Sequence, residues 1–133
     1  MSDNTAPVLP TMTLDGQVVS FTPGETVYEI AVRQGTFVPT LCYDPRLKPF
    51  GACRLCVVEV VGARTLQPAC VTRAAQDMIV NTETDRVHTA RRVLLELLAS
   101  TVDLSETPDV LAYVERYGAQ SERFGGGIRR ECP

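Results

Sequence analysis

The stretch "CYDPRLKPFGACRLCVVEV", Cys42 to Val60, places three cysteines within fifteen residues, and "VGARTLQPAC" brings a fourth, Cys70. The spacing is Cys42-x10-Cys53-x2-Cys56-x13-Cys70. Two thiolates separated by two residues can grip one metal centre, because the tight turn "CRLC" aims both sulfurs inward. The preceding Gly51-Ala52 is small enough to let backbone N–H groups come close to negatively charged sulfur. Pro39, Pro45 and Pro49 exclude regular structure over most of 39–52. Cys42 is therefore expected on a loop, and Cys70 at the far end of a strand hairpin.

Outward from this segment, the chain alternates short strands and helices. "TMTLDGQVVSF" is two β-prone runs around Asp15-Gly16, a strong hairpin signal. In "FTPGETVYEIAVRQG", Thr26 and Glu29 form a capping-box pattern, Val27, Ile30 and Ala31 share a helical face, and Gly35 is placed to end the helix. "CVVEVVGARTLQPAC" reads as a strand from about Val57 to Val61, a turn at Gly62-Ala63 and an extended return. "DMIVNT" is one more short strand. The order β-β-α-loop-β-β-β predicts a small mixed sheet with one helix across its face. Two helices follow. "TDRVHTARRVLLELLAS" has Thr84 as N-cap and a face of Val87, Ala90, Leu94, Leu97 and Leu98. "TPDVLAYVERYG" has Thr107 as N-cap, Pro108 at the first helical position, Gly118 after the last turn and a stripe of Val110, Val114 and Tyr117.

Length and composition bound the rest. With 133 residues and 44% apolar content the chain holds one packed domain with a short appendage. The expected division is a disordered lead-in at 1–11, the cysteine-bearing domain at 12–82, a helical appendage at 83–120 and a flexible tail at 121–133. A net charge of −3, from 13 basic and 16 acidic residues, shows no basic block and argues against nucleic acid. "VLLELLA" is too short to span a bilayer. "MSDNTAPVLPT" lacks the basic and apolar regions of a secretory signal, which points to a reducing cytoplasm, where clustered cysteines serve as ligands rather than bridges.

Three occupants compete for such a set of thiols: zinc, an iron–sulfur cluster, or none. Zinc ribbons present two CxxC knuckles, and this chain has one. Plain core thiols do not gather in a proline-rich loop. The plant-type two-iron cluster uses a single CxxC, one upstream cysteine on a loop and one distant downstream cysteine. That asymmetric pattern is the one present, with a longer first interval, and it favours a [2Fe-2S] cluster.

From "DGQVVSF" through "PTLC", "GACRLCVVEV" and "LQPAC", the chain resembles the N-terminal [2Fe-2S] domain of a family of oxidoreductase subunits. The family holds the large iron–sulfur subunit of respiratory NADH:quinone oxidoreductase (complex I), subunits of NAD-linked hydrogenases and the large subunit of NAD-dependent formate dehydrogenases. The resemblance runs from about Met12 to Ser100. It implies an α+β, β-grasp ferredoxin-like fold and cluster ligation by Cys42, Cys53, Cys56 and Cys70. It also implies partner subunits, one handling flavin or NADH and one holding a catalytic metal. Many relatives continue into a second, His-x3-Cys-x2-Cys-x5-Cys site. Here those places are Val102, Glu106, Asp109 and Glu115, so a second cluster is not expected.

The expected function is one-electron transfer within a soluble multi-subunit oxidoreductase, with an NAD-linked formate dehydrogenase placed first. A complex I-like dehydrogenase or NAD-linked hydrogenase is the alternative. A freely diffusing ferredoxin or a zinc-binding interaction module stands for other classes. No Ser/His/Asp set, activating base or nucleotide motif suggests a substrate site, and "GGG" after Phe124 is not a phosphate loop. Smaller expectations complete the reading. Arg54 is divided between tuning the cluster and plain solvation. Tyr43 is divided between shielding the cluster from water and packing on the loop, with packing placed first. His88 and the pairs at 91–92 and 129–130 are solvated, and Cys132 is a surplus thiol in the tail.

Overall fold

A computed structural model describes residues 8–124. The first hairpin joins β1 (Thr11–Leu14) to β2 (Gln17–Ser20), antiparallel, with Leu14 opposite Gln17. Asp15 and Gly16 both have positive φ, +48° and +84°, the geometry a two-residue hairpin turn demands. Helix α1 (Val27–Arg33) follows. The Thr26 hydroxyl accepts from the Glu29 backbone N–H at 3.2 Å, as the capping pattern predicts, and Gly35 closes the helix at φ +71°. After the long cysteine loop come β3 (Val57–Val60), β4 (Gln67–Pro68) and β5 (Ile79–Asn81).

The sheet order is β2-β1-β5-β3-β4. β1 and β5 run parallel in its interior, and every other pair is antiparallel. This is the expected mixed sheet with α1 across it. Met12, Leu14, Ile30, Val58 and Val80 fill the core between them. Alternation places those strand side chains on one face, and their burial supplies the main driving force.

Two further helices, α2 (Asp85–Thr101) and α3 (Pro108–Tyr117), pack on one another and on the cysteine loop. The Thr84 hydroxyl caps α2 by accepting from the Val87 N–H at 3.2 Å. Thr107 does not cap α3 through its side chain. Its hydroxyl donates to the Leu104 carbonyl instead. Gly118 ends α3 in the left-handed conformation. A second core joins Leu95 of α2, Val110 and Tyr117 of α3, and Leu55 of the "CRLC" turn.

Helix α2 departs from the expected apolar face. Its buried residues are Val87, Arg91, Leu95 and Glu96, while Leu97 is 43% exposed. The reason is that α2 is covered on two sides, by β3 with the cysteine turn and by α3. A stripe chosen from apolar letters alone misses the polar positions between those contacts. Arg91, expected in solvent, is wholly buried. Glu96 accepts from the Gln120 backbone N–H at 3.3 Å and lies 3.3 Å from Arg123, holding the segment after α3 against α2. His88 is exposed as expected, 2.6 Å from Glu83. No helix among the described residues is long and apolar enough to cross a membrane. Cys132, the pair at 129–130 and the Gly run lie outside the described residues.

Candidate iron–sulfur centre

The four cysteines reach one place from three directions. Cys42 lies on the loop after α1. Cys53 and Cys56 flank the turn that leads into β3, and Cys70 follows β4. The turn is built by two left-handed residues. Gly51 has φ +69°, and a Cβ there would meet Val71 Cγ2 at 3.2 Å. Arg54 has φ +61°, a conformation that costs a non-glycine residue about 1–2 kcal/mol. The Val57 N–H donates to the Arg54 carbonyl at 3.2 Å, closing the turn. Leu55 turns the other way, into the α2–α3 core, and anchors the loop there. Arg54 itself is exposed.

Cys42 and Cys53 act on each other's ionisation, as do Cys70 and Cys56. The Cys70 backbone N–H also approaches Cys56 Sγ at 3.5 Å. All four are free of disulfides. Their electrostatics differ. Burial opposes ionisation of Cys42, yet the backbone N–H groups of Cys53, Ala52 and Cys42 itself, with the Cys53 thiol, outweigh it and draw its pKa down. Burial raises Cys53. Burial pushes Cys70 up to about 12, reinforced by the Cys56 thiol and by the charges of Cys56, Cys42 and Cys53. Four anionic sulfurs at this spot therefore call for a compensating cationic centre.

The fit to each occupant can be tested on this geometry. The chain's single CxxC turn lacks the second knuckle of a zinc ribbon. A two-iron centre, in which each iron takes two sulfurs, suits four cysteines that act on one another. Tyr43 packs on Tyr28 of α1, with ring centroids 4.5 Å apart, rather than on the loop itself. An apolar groove of ≈ 270 Å³ borders Cys53, walled by Leu41, Leu55, Leu94 and Leu98. The stack of Arg116 on Phe37, 3.8 Å from guanidinium to ring centroid, holds α3 over the segment that leads to Cys42.

Residues 10–85 match the 2Fe-2S iron-sulfur cluster binding domain family. The chain belongs to that family. Its cofactor is a [2Fe-2S] cluster. The domain is 44% identical over 87 residues to an NADH-quinone oxidoreductase subunit of Rhizobium meliloti (strain 1021), a match covering 65% of this chain and 10% of that protein. It is 35% identical over 130 residues to an NADP-reducing hydrogenase subunit of Solidesulfovibrio fructosivorans, covering 88% and 22%. A solved NAD+-reducing [NiFe]-hydrogenase in the H2-reduced state contains a similar chain, with TM-score 0.74 and 31% identity over 91% of this chain and 55% of that one. This chain thus spans a minor part of the curated relatives' length.

Two features near the centre escape a reading of the sequence. Arg91, expected in solvent, reaches the carbonyl of Val57, the residue after Cys56. Leu55 is a core residue inside the cysteine turn. Apolar Leu55 between two cysteines is a readable signal for the second, whereas nothing in the letters "RR" separates a buried arginine from its half-buried neighbour.

Proposed function

We propose that the [2Fe-2S] domain relays single electrons inside a multi-subunit oxidoreductase, with Cys42 and Cys53 holding one iron and Cys56 and Cys70 the other. The observation that carries this is the mutual electrostatic influence of the four cysteines beside a β-grasp sheet, in a chain matching the 2Fe-2S domain family. A cluster so held supplies reversible one-electron transfer at low potential, about −400 mV for plant-type ligation. The chain's own part is to fix the four sulfurs, present the N–H groups of the 51–56 turn to them and exclude water from the Cys53 side. Four thiolates leave no open position for substrate, so the domain conducts and does not convert.

The complex is proposed to be an NADH dehydrogenase of the complex I kind or an NAD-linked hydrogenase. The relatives described for the iron–sulfur centre carry those names, which moves this reading ahead of formate dehydrogenase. The partners are then a subunit handling flavin or NADH and one with a catalytic metal.

Anaerobic purification tests the site. Iron and acid-labile sulfide in equal amounts, visible absorption and a reduced-state EPR signal are expected in the parent chain. Each of Cys42→Ser, Cys53→Ser, Cys56→Ser and Cys70→Ser should weaken or abolish them. Zinc in place of iron, or full signals in all four variants, overturns the assignment.

A further inference from the structure

Arg91 lies in the middle of α2 with no exposed surface. One terminal nitrogen donates to the Val57 carbonyl at 2.8 Å, the other to the Tyr117 hydroxyl at 3.0 Å. Its Nε lacks a hydrogen-bond partner, and its guanidinium carbon lies 5.7 Å from the Tyr117 ring centroid. Both acceptors are neutral. Among the described residues, Arg91 joins none of the ion pairs.

An arginine does not shed its proton in a protein, so this is a permanent positive charge held in the interior. Such a charge costs several kcal/mol unless a negative group compensates it. Joining α2 to β3 needs only a neutral donor. The location suggests what the charge faces. Val57 directly follows Cys56, and its own N–H closes the ligand turn on Arg54. The guanidinium therefore sits behind the turn that carries Cys53 and Cys56, and Tyr117 of α3 covers its other side.

We infer that Arg91 is a positioning residue for the cluster: it pins the back of the ligand turn through Val57 and supplies the buried positive charge that favours the reduced state. The inference rests on the cysteine assignment proposed above. Reduction adds one electron, taken from an external donor, and so one negative charge on the side of the turn that Arg91 backs through Val57. A cation in a low-dielectric interior stabilises that added charge more than an exposed one does, because water and salt screen the latter. Arg54 lies between two of the cysteines but is exposed, so Arg91 has the larger, salt-insensitive influence. Tyr117 gives α3 a part in the site, since it completes the pocket that keeps Arg91 dry.

The test is a redox titration of the anaerobically purified chain, followed by EPR and visible absorption, at low salt and at about 1 M salt, where screening acts within ~3 Å. Arg91→Met removes the charge and keeps an unbranched chain in the pocket. Arg91→Lys keeps the charge, and Arg54→Gln removes the exposed one. The expected result is a lowered midpoint potential in Arg91→Met at both salt levels, a smaller change in Arg91→Lys, and an Arg54→Gln shift that shrinks in high salt. Arg91→Gln is the second neutral variant should Arg91→Met not fold. An iron-loaded neutral variant with the parent potential, or a shift that disappears at high salt, overturns the inference. So does failure of both neutral variants to retain iron, which assigns Arg91 a structural role alone. A parent chain lacking a cysteine-dependent cluster signal instead defeats the ligand assignment.

Discussion

The Asp15 carboxylate accepts from both the backbone N–H and the hydroxyl of Thr82, at 2.7 and 2.6 Å, across 67 residues of chain. It thereby fastens the first hairpin turn to the segment that enters α2. Thr82 is fully buried, and Asp15 holds φ +48°. Asparagine tolerates that backbone conformation, so Asp15→Asn isolates the charge. Hydrogen bonds to a charged group contribute about 1.5–3 kcal/mol. Asp15→Asn is therefore expected to cost about 1–2 kcal/mol in denaturant unfolding. A double-mutant cycle with Thr82→Ala should show coupling, and additive losses would mean that the two groups do not act together.

The thiols of the iron-free chain should react in a set order. N–H donors outweigh burial at Cys42 and lower its pKa, while burial and neighbouring charges push Cys70 up to about 12. Near neutral pH the half-buried Cys42 holds the larger thiolate fraction, and thiolate is the reacting form. Timed alkylation with iodoacetamide and mass mapping should label Cys42 first and Cys70 last. As pH rises toward 9 the gap is expected to widen first in favour of Cys42, since Cys70 stays protonated. Equal labelling of the two would show that the folded loop does not set their reactivity.

Gly51 makes the ligand turn sensitive to a single methyl group. Its φ of +69° disfavours alanine by about 1 kcal/mol. The new Cβ would also press on Val71 Cγ2 at 3.2 Å. Gly51→Ala should destabilise by about 1–2 kcal/mol and lower iron per chain. Adding Val71→Ala should restore only the part due to the contact, so the double variant stays below the parent in melting temperature.

How far the molecule is readable from its letters depends on the kind of signal. Asp15-Gly16, the Thr26 and Thr84 caps and Gly35 act locally, so their chemistry announces the hairpin, α1 and the start of α2. The cysteine spacing is likewise a local record of the loop. The inner face of α2 is hidden because it is set by contacts with residues far along the chain. Arg91 is buried by Val57 and Tyr117, and Glu96 by Gln120 and Arg123. β4 shrinks to Gln67–Pro68 for a similar reason: it is an edge strand, and proline has no N–H to extend the ladder.

Glu96 offers a test of those distant contacts. Breaking a wholly buried ion pair costs about 3–5 kcal/mol. Here the cationic partners Arg92 and Arg123 are 41% and 49% exposed, so solvent recovers much of their side. Glu96→Gln should therefore cost only about 1–2 kcal/mol. Hydrogen exchange should quicken locally at Gln120, whose N–H bonds to Glu96. An unchanged exchange rate there would show that the carboxylate does not hold this segment.

Leu55 links the stability of the helices to the state of the metal centre. It lies between Arg54 and Cys56 yet is 2% exposed, packed with Leu95, Val110 and Tyr117. Leu→Ala in a core costs about 2–5 kcal/mol, depending on how far the cavity collapses. The turn is held on its other side by Gly51 and the Val57–Arg54 hydrogen bond, so Leu55→Ala is expected near the lower half of that range. Its second effect separates it from an ordinary core deletion. Val110→Ala removes bulk from the same cluster at a distance in sequence from the ligands, and should lower the melting temperature with little change in iron content. Leu55→Ala should lower both, since the freed turn no longer fixes Cys53 against Cys42. Equal iron retention in the two variants, measured at matched temperature below both melting points, would mean that the α2–α3 core does not support the ligand turn.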